Sequence, residues 1–214
     1  MNTPESQTNK KRKADFKVVI IGDAAIGKTC IVNRYLHNQF SDEMPNQTIG
    51  AAFFLKQWKS SNIAIWDTAG EERFSGLSNF YCRGANAAIV AYDIRDRRTF
   101  DSIDARYTQL LETSAENCTI VLAGTKKDLV TRDNREISVE DGIKKVKELG
   151  ERWQSKSHPG DKTPFFETSA KTSENIMELF EYIFETLTLD VANPVAKDTI
   201  DFGKSNATGK KCSC

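Results

Sequence analysis

The sequence predicts an α/β domain built on a six-stranded, mostly parallel sheet. Six β-prone runs occur along the chain, and stretches with helical patterns separate most of them. Parallel neighbours need long crossovers, and helices that supply these cover both faces of the sheet. The exception is the pair of runs at 50–59 and 62–66, which share a short polar turn. This pair predicts a hairpin that leaves one antiparallel strand at the edge.

The remaining elements follow in the order that such a sheet requires. Strands are expected at 16–21, 50–59, 62–66, 87–92, 119–123 and 165–166, and helices at 30–37, 72–82, 98–111, 138–153 and 173–187. The run at 87–92 consists of small and branched residues, which is typical of a strand buried on both faces. The last helix carries apolar residues at helical spacing. Residues 40–48 are polar, contain Pro45 and predict an irregular loop.

Composition limits the class of protein. The chain has 214 residues, 39% of them hydrophobic, so we expect one core. Thirty basic and 30 acidic residues cancel, and no nucleic-acid partner is expected. We expect a disordered basic arm at 1–14, a folded domain at 15–189 and a flexible tail at 190–214. Neither a membrane-spanning run nor a signal peptide is recognisable, and the five scattered cysteines favour neither disulfides nor a zinc site.

Residues 22–29 match the pattern G-x-x-x-x-G-K-[ST] between the first strand and the first helix. Gly22 and Gly27 let the backbone bring N–H groups onto phosphate oxygens, and the helix N-terminus adds partial positive charge. Lys28 is expected to reach the β and γ phosphates, and Thr29 to offer a hydroxyl to Mg²⁺. The pattern by itself also fits a glycine turn with a surface lysine.

A carboxylate, Asp67, ends the third strand close to this loop. From there it is placed to hold Mg²⁺, usually through a water molecule, while Gly70 is placed to donate its N–H to the γ phosphate. Alternatively, Asp67 only caps the turn that follows it.

The segment Thr125-Lys126-Lys127-Asp128 follows the fifth strand and favours guanine as the bound base. The Asp128 carboxylate can accept from two adjacent N–H donors on guanine, which adenine lacks, while the stem of Lys126 covers the ring. Ala170 is expected to offer its backbone N–H to the guanine oxygen, and Phe40 to pack beside the base. A loop of mixed charge without a ligand is the alternative.

Together these residues resemble the small GTPases of the Ras superfamily, and within it the Rab family, over residues 15–188 and at the last residues. The Rab-like segments are Thr48-Ile49-Gly50-Ala51-Ala52-Phe53, Trp66-Asp67-Thr68-Ala69-Gly70, Tyr81-Cys82-Arg83-Gly84-Ala85 and Cys212-Ser213-Cys214. The first of these and residues 86–90 are most similar to Rabs of the endocytic route.

The resemblance implies a site for GTP or GDP with Mg²⁺. Its nucleotide-binding residues are Gly22, Ala25, Ile26, Gly27, Lys28, Thr29, Cys30, Phe40, Thr48, Gly70, Thr125, Lys126, Asp128, Ser169, Ala170 and Lys171, and its metal ligands are Thr29, Thr48 and Asp67. Lys28 and Glu71 are the implied catalytic residues. The implied effector-facing residues are Ile49, Phe53, Trp66 and Tyr81, whose aromatic members also fit an ordinary core. Cys212 and Cys214 are the implied prenylation sites.

The chain departs from the family pattern at three places. Thr125 replaces the asparagine of Asn-Lys-x-Asp, so a hydroxyl replaces only part of the hydrogen bonding of an amide to the base and the phosphate loop. Glu71 stands where the family generally has the glutamine that positions the attacking water. The span between Asp128 and Ser169 is long, and 155–163 is its expected exposed insertion.

The expected function is a GTP/GDP switch that hydrolyses GTP and recruits effectors in vesicle and endosomal traffic. The expected location is the cytosolic face of endosomal or phagosomal membranes, in exchange with the cytosol. One alternative is a GTP-loaded, barely catalytic recruitment module, and another is a P-loop kinase, against which Asp128 argues. The resemblance implies a monomer served by an exchange factor, a GTPase-activating protein, a GDP-dissociation inhibitor, an escort protein and a geranylgeranyltransferase.

Overall fold

A six-stranded sheet forms the centre of the fold in the computed structural model, which describes residues 13–42, 47–70, 80–156, 158, 160 and 162–192. Its strands are β1 (Phe16–Ile21), β2 (Ala51–Trp58), β3 (Ser61–Thr68), β4 (Ala87–Asp93), β5 (Thr119–Thr125) and β6 (Phe165–Glu167). They are ordered β2-β3-β1-β4-β5-β6, with β2 antiparallel to β3 and every other described pair parallel. The predicted sheet with one antiparallel edge strand is confirmed.

Besides a 3-10 turn at Lys127–Leu129, the described part of the chain has four helices, of which three connect strands and the last follows β6. They are α1 (Lys28–His37), α2 (Arg97–Ser102, continued by the π-helical stretch Ile103–Tyr107 and by Thr108–Leu111), α3 (Val139–Arg152) and α4 (Ile176–Ala192). Residues 80–82 are helical, and the rest of the helix predicted at 72–82 lies outside the described residues. None of the described helices is both long and apolar enough to cross a bilayer.

The side chains of β1 show how both sheet faces are covered. Val18 and Ile20 pack with residues of α1 and α4, whereas Val19 and Ile21 pack with residues of α2 and α3. This division follows from the period-two alternation of a strand. Because helices occupy both faces, as predicted, the loops at the carboxyl ends of the parallel strands are the natural place for a ligand.

The last helix differs from its prediction at both ends. It begins at Ile176 rather than at 173, because Ser173 and Asn175 have φ angles of 70° and 56°, in the left-handed region. It extends past Leu187 to Ala192, and Thr188 is still buried there, donating its hydroxyl to the carbonyl of Phe184 at 2.7 Å. The helix therefore passes the domain end predicted at residue 189.

The insertion predicted to be exposed at 155–163 is exposed at four of its six described residues, and the other two, Ser155 and His158, are half-buried and anchored. The Ser155 hydroxyl accepts the backbone N–H of Ile120 at 2.8 Å. The His158 ring stacks on Tyr182 with centroids 5.0 Å apart, and its side chain is only 11% exposed. Turn-forming residues in this segment predicted a surface loop, but no local pattern indicates these long-range contacts.

Helix α3 begins with a capping box at the predicted residue, Ser138. The Ser138 hydroxyl accepts the backbone N–H of Asp141 at 3.0 Å, and the Asp141 carboxylate accepts the backbone N–H of Ser138 at 3.4 Å. Each bond satisfies an N–H that the helix itself leaves unpaired.

We predict that Ser138→Ala lowers the free energy of unfolding by about 1 kcal/mol, because the Asp141 N–H loses its acceptor. Guanidinium chloride unfolding followed by circular dichroism measures this change. Ser138→Asp is the matched control, since a carboxylate can accept the same bond and should keep the stability near that of the wild type. An equal loss in both variants would contradict the capping role.

Candidate functional site

A cavity of about 490 Å³ opens among the loops that follow β1, β3, β4, β5 and β6. Its volume lies within the range of small-molecule sites. The predicted nucleotide-binding residues that line it are Ala25, Ile26, Gly27, Lys28, Thr29, Cys30, Phe40, Thr48, Gly70, Thr125, Lys126, Asp128, Ala170 and Lys171. Gly22, Asp67 and Ser169 are not in the lining, but each hydrogen-bonds to a residue that is.

The glycines of the phosphate loop occupy conformations that side chains disfavour. Gly22 has a φ of 144°, and a Cβ there would lie 2.4 Å from the carbonyl oxygen of Ala91. Gly27 has a φ of 98° and directly precedes α1. Glycine is therefore required at Gly22 by the close approach of Ala91, and it is favoured at Gly27 by the positive φ.

Lys28 is a buried cation at the start of α1. Its ammonium donates to the carbonyls of Gly22 and Asp23, both at 2.7 Å, and the residue is 6% exposed. Burial lowers the pKa of Lys28 to about 8, while the nearby charges of Asp67 and Asp23 raise it. An anionic ligand in the cavity would favour the charged ammonium and offset this desolvation.

Asp67 is a buried carboxylate whose negative charge interacts with the positive charge of Lys28. Its Oδ2 accepts the Thr29 hydroxyl at 2.7 Å, and the Thr29 and Thr48 hydroxyl oxygens are 2.9 Å apart. The single hydrogen of the Thr29 hydroxyl is therefore used in the bond to Asp67. Burial raises the pKa of Asp67, against the lowering effects of the Thr29 hydrogen bond, the Lys28 charge and the Thr48 hydrogen bond.

These three side chains fit a hard divalent cation. Two hydroxyls and one carboxylate supply the oxygen ligands that Mg²⁺ prefers, alongside water and phosphate. The Oδ1 atom of Asp67 is buried and has no hydrogen-bond partner in the described structure. Such an atom would be satisfied by a metal ion or by a metal-bound water. Residues Thr29, Thr48 and Asp67, predicted as metal ligands, are thus brought together.

The other end of the cavity is formed by the loops after β5 and β6. Lys126 lies across the site, since its ammonium contacts the carbonyl of Ala25 at 2.7 Å and the carboxylate of Asp93 at 3.0 Å. Asp128 accepts the Ser169 hydroxyl at 2.6 Å. A carboxylate that accepts one bond retains the capacity to accept two more donors, as guanine would require.

Thr125 hydrogen-bonds to the phosphate loop, which is one role of the asparagine that the family pattern has at this position. Its hydroxyl lies 2.7 Å from the carbonyl of Ile26 in the phosphate loop and 3.0 Å from the carbonyl of Tyr92. A hydroxyl has one hydrogen, so that hydrogen is already used within the protein. The tie between the β5 loop and the phosphate loop is therefore present, while Thr125 keeps no hydrogen to donate to a base.

Gly70 lies directly against the phosphate loop. A Cβ at this residue would come within 2.3 Å of the backbone of Asp23 and Ala24. The preceding residue, Ala69, donates its N–H to the carbonyl of Gly50 at 2.8 Å. This contact connects the segment of Thr48 with the segment of Gly70, and both residues line the cavity.

The residues predicted to face effectors lie outside the lining of the cavity. Ile49 is 84% exposed and Phe53 is 53% exposed, so neither belongs to the core. The Trp66 ring contacts Phe53 with centroids 5.1 Å apart and Tyr81 with centroids 5.6 Å apart. The three aromatic residues are thus in one continuous, partly exposed cluster.

Three of the predicted site residues cannot be placed in the fold. Glu71, Cys212 and Cys214 lie outside the described residues.

Two residues of the site were not predicted from the sequence. Arg95 lines the cavity, and Asp93 pairs with both Arg95 and Lys126. Their position at the carboxyl end of β4 was the signal that could have identified them.

Comparison with known proteins agrees with this geometry. A family model described as "Ras family" matches residues 17–189. The chain is 35% identical over 200 residues to "Ras-related protein Rab-20" of Homo sapiens, which covers 81% of this chain and 85% of the relative. It is 40% identical over 190 residues to "Putative ras-related protein Rab-5B" of Dictyostelium discoideum, with 87% and 81% covered.

A third relative extends the match over nearly the whole chain. "Ras-related protein Rab-5A" of Dictyostelium discoideum is 38% identical over 216 residues, which cover 96% of this chain and 98% of the relative. The resemblance to Rab proteins is confirmed by these matches. The chain belongs to the Ras family, and Rab-named proteins are among its relatives.

Proposed function

We propose that this protein is a GTP/GDP switch that hydrolyses GTP and recruits effectors in vesicle and endosomal traffic. The main support for the proposal is that the residues predicted to bind phosphate and those predicted to bind the base line the same cavity. Lys28 and Thr29 line it on the phosphate side, and Asp128 and Ala170 line it on the base side. The Ras-family match and the Rab names of the relatives support the same function.

The phosphate side would bind the nucleotide through fixed charges. The Lys28 ammonium replaces part of its bonding to the Gly22 and Asp23 carbonyls with the β and γ phosphates. Thr29, Thr48 and Asp67 are the residues that would hold Mg²⁺, which neutralises charge on the phosphate oxygens when it is bound. Backbone N–H groups at the start of α1 add partial positive charge.

Switching follows from the contacts of Thr48. Its hydroxyl reaches the metal position through Thr29, and the carbonyl of Gly50 two residues later holds the N–H of Ala69. Loss of the γ phosphate would remove the ligand that favours this arrangement, so both segments would be released together. The exposed side chains of Ile49 and Phe53, which follow Thr48 in the sequence, would then belong to the surface that effectors recognise.

The resemblance also supplies partners and a location for this proposal. They are an exchange factor, a GTPase-activating protein, a GDP-dissociation inhibitor, an escort protein and a geranylgeranyltransferase, acting on a monomer at endosomal or phagosomal membranes. A GTP-loaded, barely catalytic recruitment module remains the second candidate function, because Glu71 replaces the family's glutamine.

Competition between nucleotides tests the proposed base specificity. Fluorescent GDP bound to the purified chain should be displaced by GTP and not by an equal concentration of ATP, because Asp128 can pair only with the donors of guanine. Lys28→Ala is the control and should bind neither nucleotide, since it removes the main cation on the phosphates. Displacement by ATP as effective as that by GTP would favour the kinase alternative.

We predict that Glu71→Gln accelerates intrinsic GTP hydrolysis. An ionised carboxylate donates no hydrogen bond and repels the anionic transition state, whereas a glutamine amide can donate to the γ phosphate. At roughly 6 Å and an effective dielectric constant of about 20, the repulsion is about 3 kcal/mol, or about a hundredfold in rate as an upper bound. Mg²⁺ and Lys28 offset part of it.

Single-turnover hydrolysis by the wild type and Glu71→Gln, at saturating Mg²⁺, measures this effect. Equal or slower hydrolysis by the variant would mean that Glu71 acts as a general base instead. The same assay with a GTPase-activating protein separates a working switch from the barely catalytic module, because an activating protein can supply the missing groups in trans.

We predict that Cys212 and Cys214 both carry geranylgeranyl groups in cells. A Cys-x-Cys end matches the doubly prenylated Rab type, and two chains are needed for stable anchoring because one is marginal. Lys210 and Lys211 add about 1 kcal/mol each at an anionic membrane surface. Intact-mass analysis of protein from cells measures the modification, with Cys212→Ser/Cys214→Ser as the unmodified control. Unmodified cysteines in the wild-type protein would refute it.

A further inference from the structure

Arg34, in the last turn of α1, is bonded to the loop that follows β6. Its Nε donates to the carbonyl of Ala170 at 2.6 Å, and its Nη2 donates to the carbonyl of Lys171 at 3.2 Å. Its Nη1 donates to the carbonyl and side-chain oxygens of Asn38 at 2.9 and 3.0 Å. One guanidinium therefore joins the end of α1 to two consecutive carbonyls of the base-side loop.

The bonds around Ala170 fix the peptides on either side of its N–H. The N–H of Ser169 donates to the carbonyl of Glu174 at 3.1 Å, which orients the preceding peptide. The Ala170 carbonyl is held by Arg34, and the N–H of Thr172 donates to the Ser169 hydroxyl at 3.0 Å. Only the peptide that carries the Ala170 N–H lies between these fixed units, and Ala170 lines the cavity.

We propose that Arg34 is a positioning residue for guanine recognition, which orients the Ala170 N–H toward the 6-oxo group of the base. This inference rests on the proposed nucleotide-binding function and adds the residue that sets its base-side geometry. Arg34 lies six residues after Lys28 on the same helix, about 9 Å along its axis. Helix α1 thereby fixes the distance between the phosphate side and the base side of the site.

The chemistry of the contact requires an arginine. A guanidinium presents five N–H donors in a fixed plane, so it can bind several carbonyls at once, whereas a lysine ammonium is a point charge on a flexible stem. The loop is also held before Ala170, where the Ser169 hydroxyl donates to Asp128 at 2.6 Å. After Ala170, besides Arg34, an ion pair joins Lys171 to Asp42 at 2.8 Å, and these side chains are 50% and 79% exposed. Exposed pairs of this kind contribute little, so Arg34 is the main constraint on the C-terminal side of Ala170.

The test compares guanine analogues in the purified full chain, with Arg34→Ala and Arg34→Lys as variants. GDP, 6-thioguanosine diphosphate and inosine diphosphate are titrated by competition against fluorescent GDP. The thio analogue weakens only the acceptor that Ala170 faces, and inosine removes only the 2-amino donor that Asp128 binds. Arg98→Ala is the matched control, because the Arg98 side chain is 90% exposed and, within the described chain, its guanidinium donates to the nearby Asp96.

We expect Arg34→Ala to weaken GDP binding about tenfold, as expected for lost charge-assisted hydrogen bonds. The preference for GDP over the thio analogue should disappear in Arg34→Ala and fall in Arg34→Lys, while the preference over inosine diphosphate persists. Arg98→Ala should match the wild type throughout. Thermal unfolding with saturating GDP checks that each variant is folded.

Three other outcomes would contradict the inference, and each has a different meaning. If the wild type does not bind GDP, the proposed function and this inference fail together. If the wild type binds GDP and Arg34→Ala keeps the full preference over the thio analogue, the inference alone fails. If both preferences fall equally in a folded Arg34→Ala protein, Arg34 merely stabilises the site and the positioning role is wrong.

Discussion

Two buried charges of opposite sign, Lys28 and Asp67, impose the main constraint on this structure. The ammonium bonds only to backbone carbonyls in the described chain, and one carboxylate oxygen of Asp67 has no hydrogen-bond partner there. Burying a charge without full compensation costs folding free energy. The surrounding loops must therefore supply dipoles, or a ligand must supply the missing partners. A phosphate for Lys28 and a magnesium ion for Asp67 would complete the site.

The fold places these two charges together because their strands are neighbours. Asp67 lies near the end of β3, which pairs in parallel with β1, and the loop after β1 leads to Lys28 at the start of α1. Helix α1 then carries Arg34 to the base-side loop, so one rigid element spans both sides of the cavity. The chemistry of the site therefore depends on strand order and on a single helix more than on any one loop.

The elements and most site residues were predictable because each has a local signature. A glycine loop between strand and helix, the Asp128 segment and the alternating elements all act over a few residues, and Ser138 marked its helix start correctly. The roles of Arg34 and the anchored His158 were not predictable, because their partners Ala170, Lys171 and Tyr182 are 24 to 137 residues away in the sequence. The start of α4 was missed since the left-handed conformations of Ser173 and Asn175 have no strong signal in these residue types.

The magnesium dependence of GTP affinity in Asp67→Asn tests the central claim most directly. If the buried carboxylate and Lys28 form a site completed by metal and phosphate, Mg²⁺ should tighten GTP binding to the wild type by about tenfold or more, relative to a chelator. Asp67→Asn should lose that dependence, because an amide is a much weaker ligand for Mg²⁺. An unchanged magnesium dependence in a folded Asp67→Asn protein would contradict this account of the site.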